Sequence, residues 1–459
     1  MLSTDIEVAI IGGGISGLSV AYELHKRNIS YSLFERTGRL GGVIRTDRVS
    51  NFTIDGGPDS LLVQKPAAID LCVELGLAQR LIPTSNPRTA FILRKGRLHQ
   101  IPETSILGIP TQIYPLATTG LLSPGGKLQM ALELIRPGKS DEQQDESVAN
   151  FFYRRFGREA VDYIAEPLLA GIHAGCVDRL SMRALFPRLV EAEQRYGSVI
   201  RAFRALRTRR SPDGMFRSLR GGIGELISTL VKTLPAHCIQ TGINIMTIQG
   251  SGPYQLGLAN GNTISARKVV VAVPAYVAAD LLQQSDKDLA DLCRGIPYTS
   301  TATIALGYPR LAVRHELRGT GFVVPKIEDD VSLMAGSWVS SKWKHRAPKD
   351  QVLLRGFVGG ARDDRALTDT DASLIETVHR DFSKLLDIST KPLIKRVYRW
   401  PRLNPQHEVG HLDRMKAIDT RLAQLPGLEL IGAGFRGVGI PDCISHGRAT
   451  GERISSLTV

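Results

Sequence analysis

Val8-Ala9-Ile10-Ile11-Gly12-Gly13-Gly14-Ile15-Ser16-Gly17-Leu18 reads as a buried strand that turns on glycines directly into a helix. Gly12, Gly14 and Gly17 have the spacing G-x-G-x-x-G, in which the first glycine permits the tight turn and the second lets backbone approach a pyrophosphate. The third lets the helix pack closely on the strand. Ile15 and Ser16 open that helix, and its unpaired N–H groups favour a phosphate. A second apolar run, Tyr31-Ser32-Leu33-Phe34, ends in Glu35. An acidic residue roughly 20 positions after the glycines can hold the hydroxyls of an adenosine ribose. Together these residues predict a dinucleotide-binding unit.

The residues directly after Glu35 select among dinucleotides. Arg36-Thr37-Gly38-Arg39-Leu40-Gly41-Gly42-Val43-Ile44-Arg45-Thr46 sets a second glycine-rich, arginine-bearing segment immediately after the acid. Arg39 and Arg45 can neutralise phosphate charge, and Gly41 and Gly42 allow close approach. The segment resembles the E-R-x-x-R-x-G-G-x-x-R/T signature of the flavin amine oxidase and protoporphyrinogen oxidase superfamily. That resemblance implies FAD as cofactor, bound by Arg36, Gly41 and Gly42 as well as by the first glycines.

At 459 residues the chain can form two or three lobes with a substantial core. Its formal charge of +13 points to acidic small molecules or an anionic membrane surface as partners. No basic, aromatic-interleaved stretch suggests nucleic acid. The five cysteines are scattered without a C-x-x-C pair, which indicates neither a metal site nor a disulfide framework and fits a reducing, cytoplasmic setting. No export signal is read at the N-terminus. The longest apolar run, 269 to 279, is interrupted by Pro274 and falls short of the roughly 20 residues of a spanning helix. Any membrane contact is therefore expected to be peripheral, on the inner face of the cytoplasmic membrane.

Further along, Phe52 to Asp55 reads as a strand, and Gly56-Gly57-Pro58-Asp59-Ser60 as a turn that also suits a plain β-turn. Pro66 suits the first turn of a helix over 65–75. Alternation from Thr89 to Leu98 predicts a hairpin around Lys95-Gly96. The Pro-, Gly- and Leu-rich stretches 106–110 and 121–126 fit either interior loops or a surface that rests on a bilayer. An aromatic helix is expected over 148–157, ended by Gly157. Arg201, Arg204, Arg207, Arg209 and Arg210 form a basic stripe before Ser211-Pro212, compatible with a solvated face or with binding of anionic headgroups or substrate carboxylates. His407 and His411 have no further ligands nearby, so a metal is not expected.

The passage from Ser147 through Glu166-Pro167, Ala174-Gly175, Ser181-Met182 and Phe186-Pro187 resembles the S-x-x-x-F-x-x-R-x-G … P-x-x-x-G-x-x-A-G … L-S-M/L block of protoporphyrinogen oxidases, including the bacterial coproporphyrinogen III oxidases. Gly410-His411 matches that family's P-Q-x-x-x-G-H passage. Gly434 to Ile444 is similar to its G-x-x-x-G-V-x-I-x-D-C-I, where a helix starting near Ile440 can aim its N-terminus at a flavin. The resemblance runs nearly end to end.

It implies an α/β fold: a discontinuous Rossmann-like FAD domain (1–85, 212–280 and 406–459), a helical substrate- or membrane-facing insertion (86–211) and an antiparallel-sheet substrate domain (281–405). It implies oxidation of a porphyrinogen to a porphyrin in three two-electron rounds. Flavin N5 takes hydride, molecular oxygen gives hydrogen peroxide, and no side-chain base is assigned. Gly57, Pro58, Asp59, Ser60, Ile245, Gly434, Val438, Gly439 and Ile440 take the family's cofactor positions. Gly175, Val323 or Val324, and Trp338 take positions lining the macrocycle. Plant and animal members carry an arginine for a substrate carboxylate where this chain has Thr89-Ala90, and Arg88 or a residue of the basic stripe is the expected substitute. A homodimer is also expected. The alternatives in view are an amine oxidase or carotenoid desaturase of the same superfamily, and a non-catalytic escort protein that has lost its flavin contacts.

Overall fold

The strand Asp5–Ile11 is apolar at most positions and buried along nearly its whole length, the condition of a parallel strand covered on both faces. The computed structural model describes residues 5–102, 105–110, 113–138, 144–205 and 213–456. Asp5–Ile11 pairs in parallel with Tyr31–Glu35 on one side and Thr263–Val271 on the other. Ile239–Thr241 extends the sheet beyond Tyr31–Glu35, and Leu428–Leu430 adds in parallel to Thr263–Val271. The antiparallel strands Tyr254–Leu258 and Ile245–Gln249 complete seven. Strands from the beginning, middle and tail of the chain therefore share one sheet.

Helices Ile15–Lys26 and Ile440–Ser456 lie side by side against that sheet. Close approach rests on missing side chains: a Cβ on Gly447 would come within 2.6 Å of the Ser16 carbonyl oxygen, and one on Gly451 within 2.6 Å of the Glu23 Cβ. Contact positions rise together along both helices, so they run in the same direction. Both N-termini accordingly open at the carboxyl ends of the parallel strands, the edge where doubly wound sheets bind ligands.

A second seven-stranded sheet runs in the order Ile394–Pro405, Tyr298–Pro309, Gln351–Gly359, Ala335–Trp338, Gly321–Val323, Ala90–Arg94, Arg97–Gln100. The hairpin at Lys95-Gly96 forms, and it joins this sheet through a parallel pairing of Ala90–Arg94 with Gly321–Val323, although its residues fall in the 86–211 segment. Side chains alternate across each strand. Ile304, Leu354, Trp338, Phe322 and Leu93 form one apolar face with Val378 and Phe382 of helix Asp371–Leu386. Thr303, Arg355, Phe357, Ala335, Val323 and Tyr398 point to the other face, where Arg355 and Tyr398 bond Gly57 and Asp47 and Val323 packs on the helical part.

The helical part is centred on Phe151, Phe152 and Phe156 of Val148–Phe156. The helix ends at Gly157, whose φ of +85° would strain any side chain. Arg155 in this helix is fully buried and bonds Glu133 through Nε at 3.1 Å, and Glu133 also accepts from the Ser198 hydroxyl (2.6 Å) and the Val199 amide (2.8 Å). Beyond it, Val161–Ala170 is a wide-turned π-helix containing Pro167, which lacks the N–H a regular turn requires. Of the basic stripe, Arg201 and Arg204 lie on Val199–Ala205, whereas Arg207, Arg209, Arg210, Ser211 and Pro212 lie outside the described residues. Among the described residues, no helix is long and apolar enough to cross a membrane.

Candidate active site

Four sequence segments meet at the carboxyl edge of the parallel sheet. Gly12 turns the chain with φ +111°, and a Cβ there would sit 2.5 Å from the Ala272 carbonyl oxygen. A Cβ on Gly17 would fall 2.1 Å from the Gly12 carbonyl oxygen, so helix and turn touch through backbone. At Gly14 the same construction meets nothing within 4 Å. That open space lies before the helix N-terminus beginning at Ile15, which has no side-chain cap. The second glycine segment closes it from one side: the Gly41 amide donates to the Gly13 carbonyl at 2.7 Å, and a Cβ on Gly42 would lie 3.4 Å from the Gly14 Cα.

Glu35 is held in place by the amides of Gly13 and Thr37, both at 2.9 Å, and by the Thr37 hydroxyl at 2.7 Å. Two carboxylate oxygens offer about four acceptor positions, and these three bonds leave about one for a ribose hydroxyl. Ile245 lies beside this acid, because the Ile243 amide bonds the Glu35 carbonyl and the Gly242 amide bonds the Thr37 carbonyl, at 3.1 and 3.0 Å. Arg36 is exposed next to it. Arg39 does not reach out toward phosphate: its guanidinium turns back to the carbonyls of Leu40 (3.2 Å), Gly42 and Ile44 (3.0 Å). Arg45 bonds Asp47 at 3.1 Å and lies over the Tyr398 ring. Both arginines shape the loop through these bonds.

The third segment, Gly56 to Ser60, is pinned to the second sheet. A Cβ on Gly57 would lie 2.0 Å from the Val43 carbonyl oxygen, and Gly56 packs against the Tyr398 ring. Trp400 Nε1 donates to the Gly56 carbonyl at 3.0 Å, while Arg355 donates to the Asp55 carbonyl and to the Gly57 carbonyl at 3.1 Å. The Asp59 carboxylate is fully engaged with Lys342 (3.0 Å), Trp343 Nε1 (3.1 Å) and Arg355 (3.7 Å). Burial works against its charge, but Lys342 and Arg355 hold the carboxyl below its usual range. Asp59 can therefore contribute only backbone to a ligand.

The fourth segment, from Gly434 through Val438 and Gly439 to Ile440, leads into the C-terminal helix. Tyr298 Oη fills the place a Gly434 side chain would take, 2.2 Å from its Cβ position, and accepts the Ala275 amide at 2.8 Å. Lys65 binds Asp442 in the first helical turn at 2.7 Å, joining the segment after Ser60 to this N-terminus. Together, the open space at Gly14, the uncapped helix start at Ile15, the second helix start at Ile440 and the partly unused Glu35 fit an adenine dinucleotide carrying a flavin.

For the substrate side, parity decides. Val323 is half-buried on the face of the second sheet opposite Trp338, against the helical part, in a row with Ala335, Phe357, Thr303 and Tyr398. Trp338 lies on the opposite face, 0% exposed, packed against His315 (4.8 Å), Phe91 (5.3 Å) and Phe322 (6.4 Å). It is a core residue, which corrects its expected place beside the macrocycle, and Phe357 and Ser337 occupy the facing side. Gly175 has no space for a side chain, its Cβ position lying 2.4 Å from Gln406 Oε1. The preceding Ala174 packs at Gly360, the same end of the sheet as Val323. Arg88 is half-buried, donates from Nε to the Thr84 carbonyl at 3.1 Å and lies against Gly214. Trp400, Tyr398, Tyr298 and Gln406 are the site-shaping residues that sequence reading missed. The aromatic-Pro sequence Trp400-Pro401 and Pro405-Gln406 were visible, but nothing local shows which segment they touch.

The sequence profile of the family described as flavin containing amine oxidoreductase matches residues 15–455. Coproporphyrinogen III oxidase of Bacillus subtilis is 36% identical over 457 residues, covering 96% of each chain. The chloroplastic protoporphyrinogen oxidase of Nicotiana tabacum is 29% identical, covering 96% of this chain and 84% of its own. A crystal structure from Exiguobacterium sp. 255-15, provisionally named a protoporphyrinogen oxidase, superposes with a TM-score of 0.88 at 33% identity over the whole of both chains.

Proposed function

Because the chain belongs to the family of flavin-containing amine oxidoreductases, we propose that it is an FAD-dependent oxidase that converts a porphyrinogen to the porphyrin in haem biosynthesis, with coproporphyrinogen III as preferred substrate. The observation that carries this reading is end-to-end likeness, at 36% identity, to the Bacillus subtilis coproporphyrinogen III oxidase. The tobacco protein with the other substrate in its name stands at 29%.

When bound, FAD supplies the two-electron oxidation of substrate carbon, with molecular oxygen as the final acceptor. Gly12, Gly14, Ile15, Ser16 and Gly17 would hold the pyrophosphate against the first helix. Glu35 and Arg36 would hold the ribose, and Ile245 backbone the adenine. Gly41, Gly42, Gly57, Pro58, Asp59 and Ser60 would run beside the ribityl chain and ring system. Gly434, Val438, Gly439 and Ile440 would bring the positive end of the C-terminal helix to the ring, which favours negative charge arriving there.

Val323 and the Gly175 carbonyl would line the macrocycle. That carbonyl has no hydrogen-bond partner among the described residues. Arg88 would take a substrate carboxylate. His173, His407 and His411 lie near the site, but each is held neutral by burial. Orientation and exclusion of water are therefore the protein's part, and no side chain is assigned as proton acceptor. The exposed Tyr114, Leu128 and Ile135 of the insertion support a peripheral contact with an anionic membrane, which flotation with anionic vesicles would test.

The deciding experiment is a visible spectrum of the purified protein, then incubation with coproporphyrinogen III or protoporphyrinogen IX while porphyrin fluorescence is followed. A yellow protein that oxidises coproporphyrinogen III faster is expected. A colourless protein would overturn the flavin assignment, and faster turnover of protoporphyrinogen IX would reverse the substrate preference.

A further inference from the structure

The segment 404–411 touches both halves of the site. Gln406, 2% exposed, points Nε2 at three acceptors that share its two N–H bonds: the His173 carbonyl at 2.9 Å, the Asn404 carbonyl at 3.0 Å and the Thr299 hydroxyl at 3.1 Å. The Thr299 hydroxyl in turn donates to the Ala174 carbonyl at 3.1 Å, and the Ala361 amide donates to the same carbonyl at 2.9 Å. The turn at Ala174-Gly175, with Ala174 at φ +50°, is thus fixed by an amide side chain fitted where a Gly175 side chain would stand.

One residue further, the chain grips the other half. His407 Nε2 bonds the Ala433 carbonyl at 3.1 Å, and His411 Nε2 bonds the Phe435 carbonyl at 2.8 Å. A carbonyl partner requires the proton on Nε2 in both rings. The rings stack in parallel, 3.9 Å apart with 10° between planes, so that the two bonds bracket Gly434. Among the described residues no hydrogen bond joins the turn to the loop directly. The path between them runs through Gln406, His407 and His411.

We propose that Gln406, His407 and His411 are positioning residues that hold the substrate-facing turn Ala174-Gly175 and the flavin-facing loop Ala433 to Phe435 at a fixed separation. The inference rests on the function proposed above. Reacting atoms must meet at about 3–3.5 Å, and a displacement near 1 Å costs on the order of 100-fold in rate. Releasing either end of the link should therefore slow transfer from substrate to flavin without removing either partner.

The test compares purified holoenzymes in anaerobic stopped flow. Gln406→Leu and Thr299→Val are expected to keep full flavin content and the wild-type visible circular dichroism, to bind product porphyrin more weakly, and to reduce flavin with coproporphyrinogen III 10- to 100-fold more slowly. Reoxidation of dithionite-reduced flavin by oxygen should stay within twofold of wild type. Thr299→Ser keeps the hydroxyl and should recover most of the loss. His407→Leu should alter the flavin circular dichroism, since it releases the other end. If Gln406→Leu does not fold, the Thr299 pair carries the test. Flavin reduction within twofold of wild type in Thr299→Val, or loss of flavin from it, overturns the proposal. A wild-type protein that lacks flavin, or whose flavin neither porphyrinogen reduces, instead overturns the underlying function, and the proposal with it.

Discussion

The indole N–H of Trp400 donates to the Gly56 carbonyl oxygen at 3.0 Å, so the last strand of the antiparallel sheet is tied to the glycine pair ahead of Pro58. Trp400→Phe keeps most of the ring but leaves that carbonyl without its donor. We expect a stability loss of about 1 kcal/mol and a changed flavin circular dichroism. An unchanged spectrum in urea-titrated, flavin-loaded protein would separate Trp400 from the site.

Two glycines of the first turn should fail in different ways. The space at Gly14 is open, and its φ of −73° suits any residue, so Gly14→Val should fold and lose flavin, read as the ratio of absorbance at the protein and flavin bands. A side chain on Gly17 collides with the Gly12 carbonyl, so Gly17→Ala should lose about 1–3 kcal/mol of stability even without cofactor. Retained flavin in Gly14→Val would remove the pyrophosphate from this turn.

Glu35→Gln exchanges a charged acceptor for a neutral one while the Gly13 and Thr37 donors stay in place. Hydrogen bonds to charged groups contribute about 1.5–3 kcal/mol, so flavin affinity should fall roughly 10- to 100-fold. Titration of the apoprotein with FAD, followed by fluorescence quenching, measures it.

Acid should loosen the centre of the molecule. Burial, with the neighbouring His411, pushes His407 down to about 3, burial and Lys65 push His173 down to about 4, and burial lowers His411 from the usual 6.5. Each binds a proton in the unfolded chain before it does so in the folded one. Their stability contribution is thus complete above pH 6.5 and is lost progressively as pH falls toward the folded values. Between pH 7.5 and 5.5 His173 and His407 should each cost about 1 kcal/mol, and His411 adds in the same direction. Urea unfolding at the two pH values should show the loss, with a shallower slope in His407→Gln.

Val323 and Trp338 should separate substrate effects from stability effects. Val323→Ala is expected to raise KM for coproporphyrinogen III severalfold with a modest stability loss. Trp338→Ala should cost about 3–5 kcal/mol through the cavity it leaves, and Trp338→Phe should leave KM within twofold. A KM change in Trp338→Phe at unchanged stability would return that ring to the substrate wall.

Much of the cradle could be read from local chemistry. A glycine spacing, an acid at a set distance and a helix start are properties of neighbours along the chain, so Gly12, Gly14, Gly17 and Glu35 are identifiable without a fold. The C-terminal Gly434 to Ile440 turn is readable for the same reason. Helix Val148–Phe156 and its Gly157 stop, and the Lys95-Gly96 hairpin, follow from apolar period and turn residues. Long-range packing settled the remainder. Strand parity sends Val323 toward the helical part and Trp338 into the core behind the sheet, a difference that a local resemblance cannot see. Arg39 turns inward because unpaired carbonyls of its own loop compete for its donors. Gln406, His407 and His411 meet their partners only because residues more than 200 positions apart, in one case, and 24 to 26 in the others, are brought together by tertiary packing.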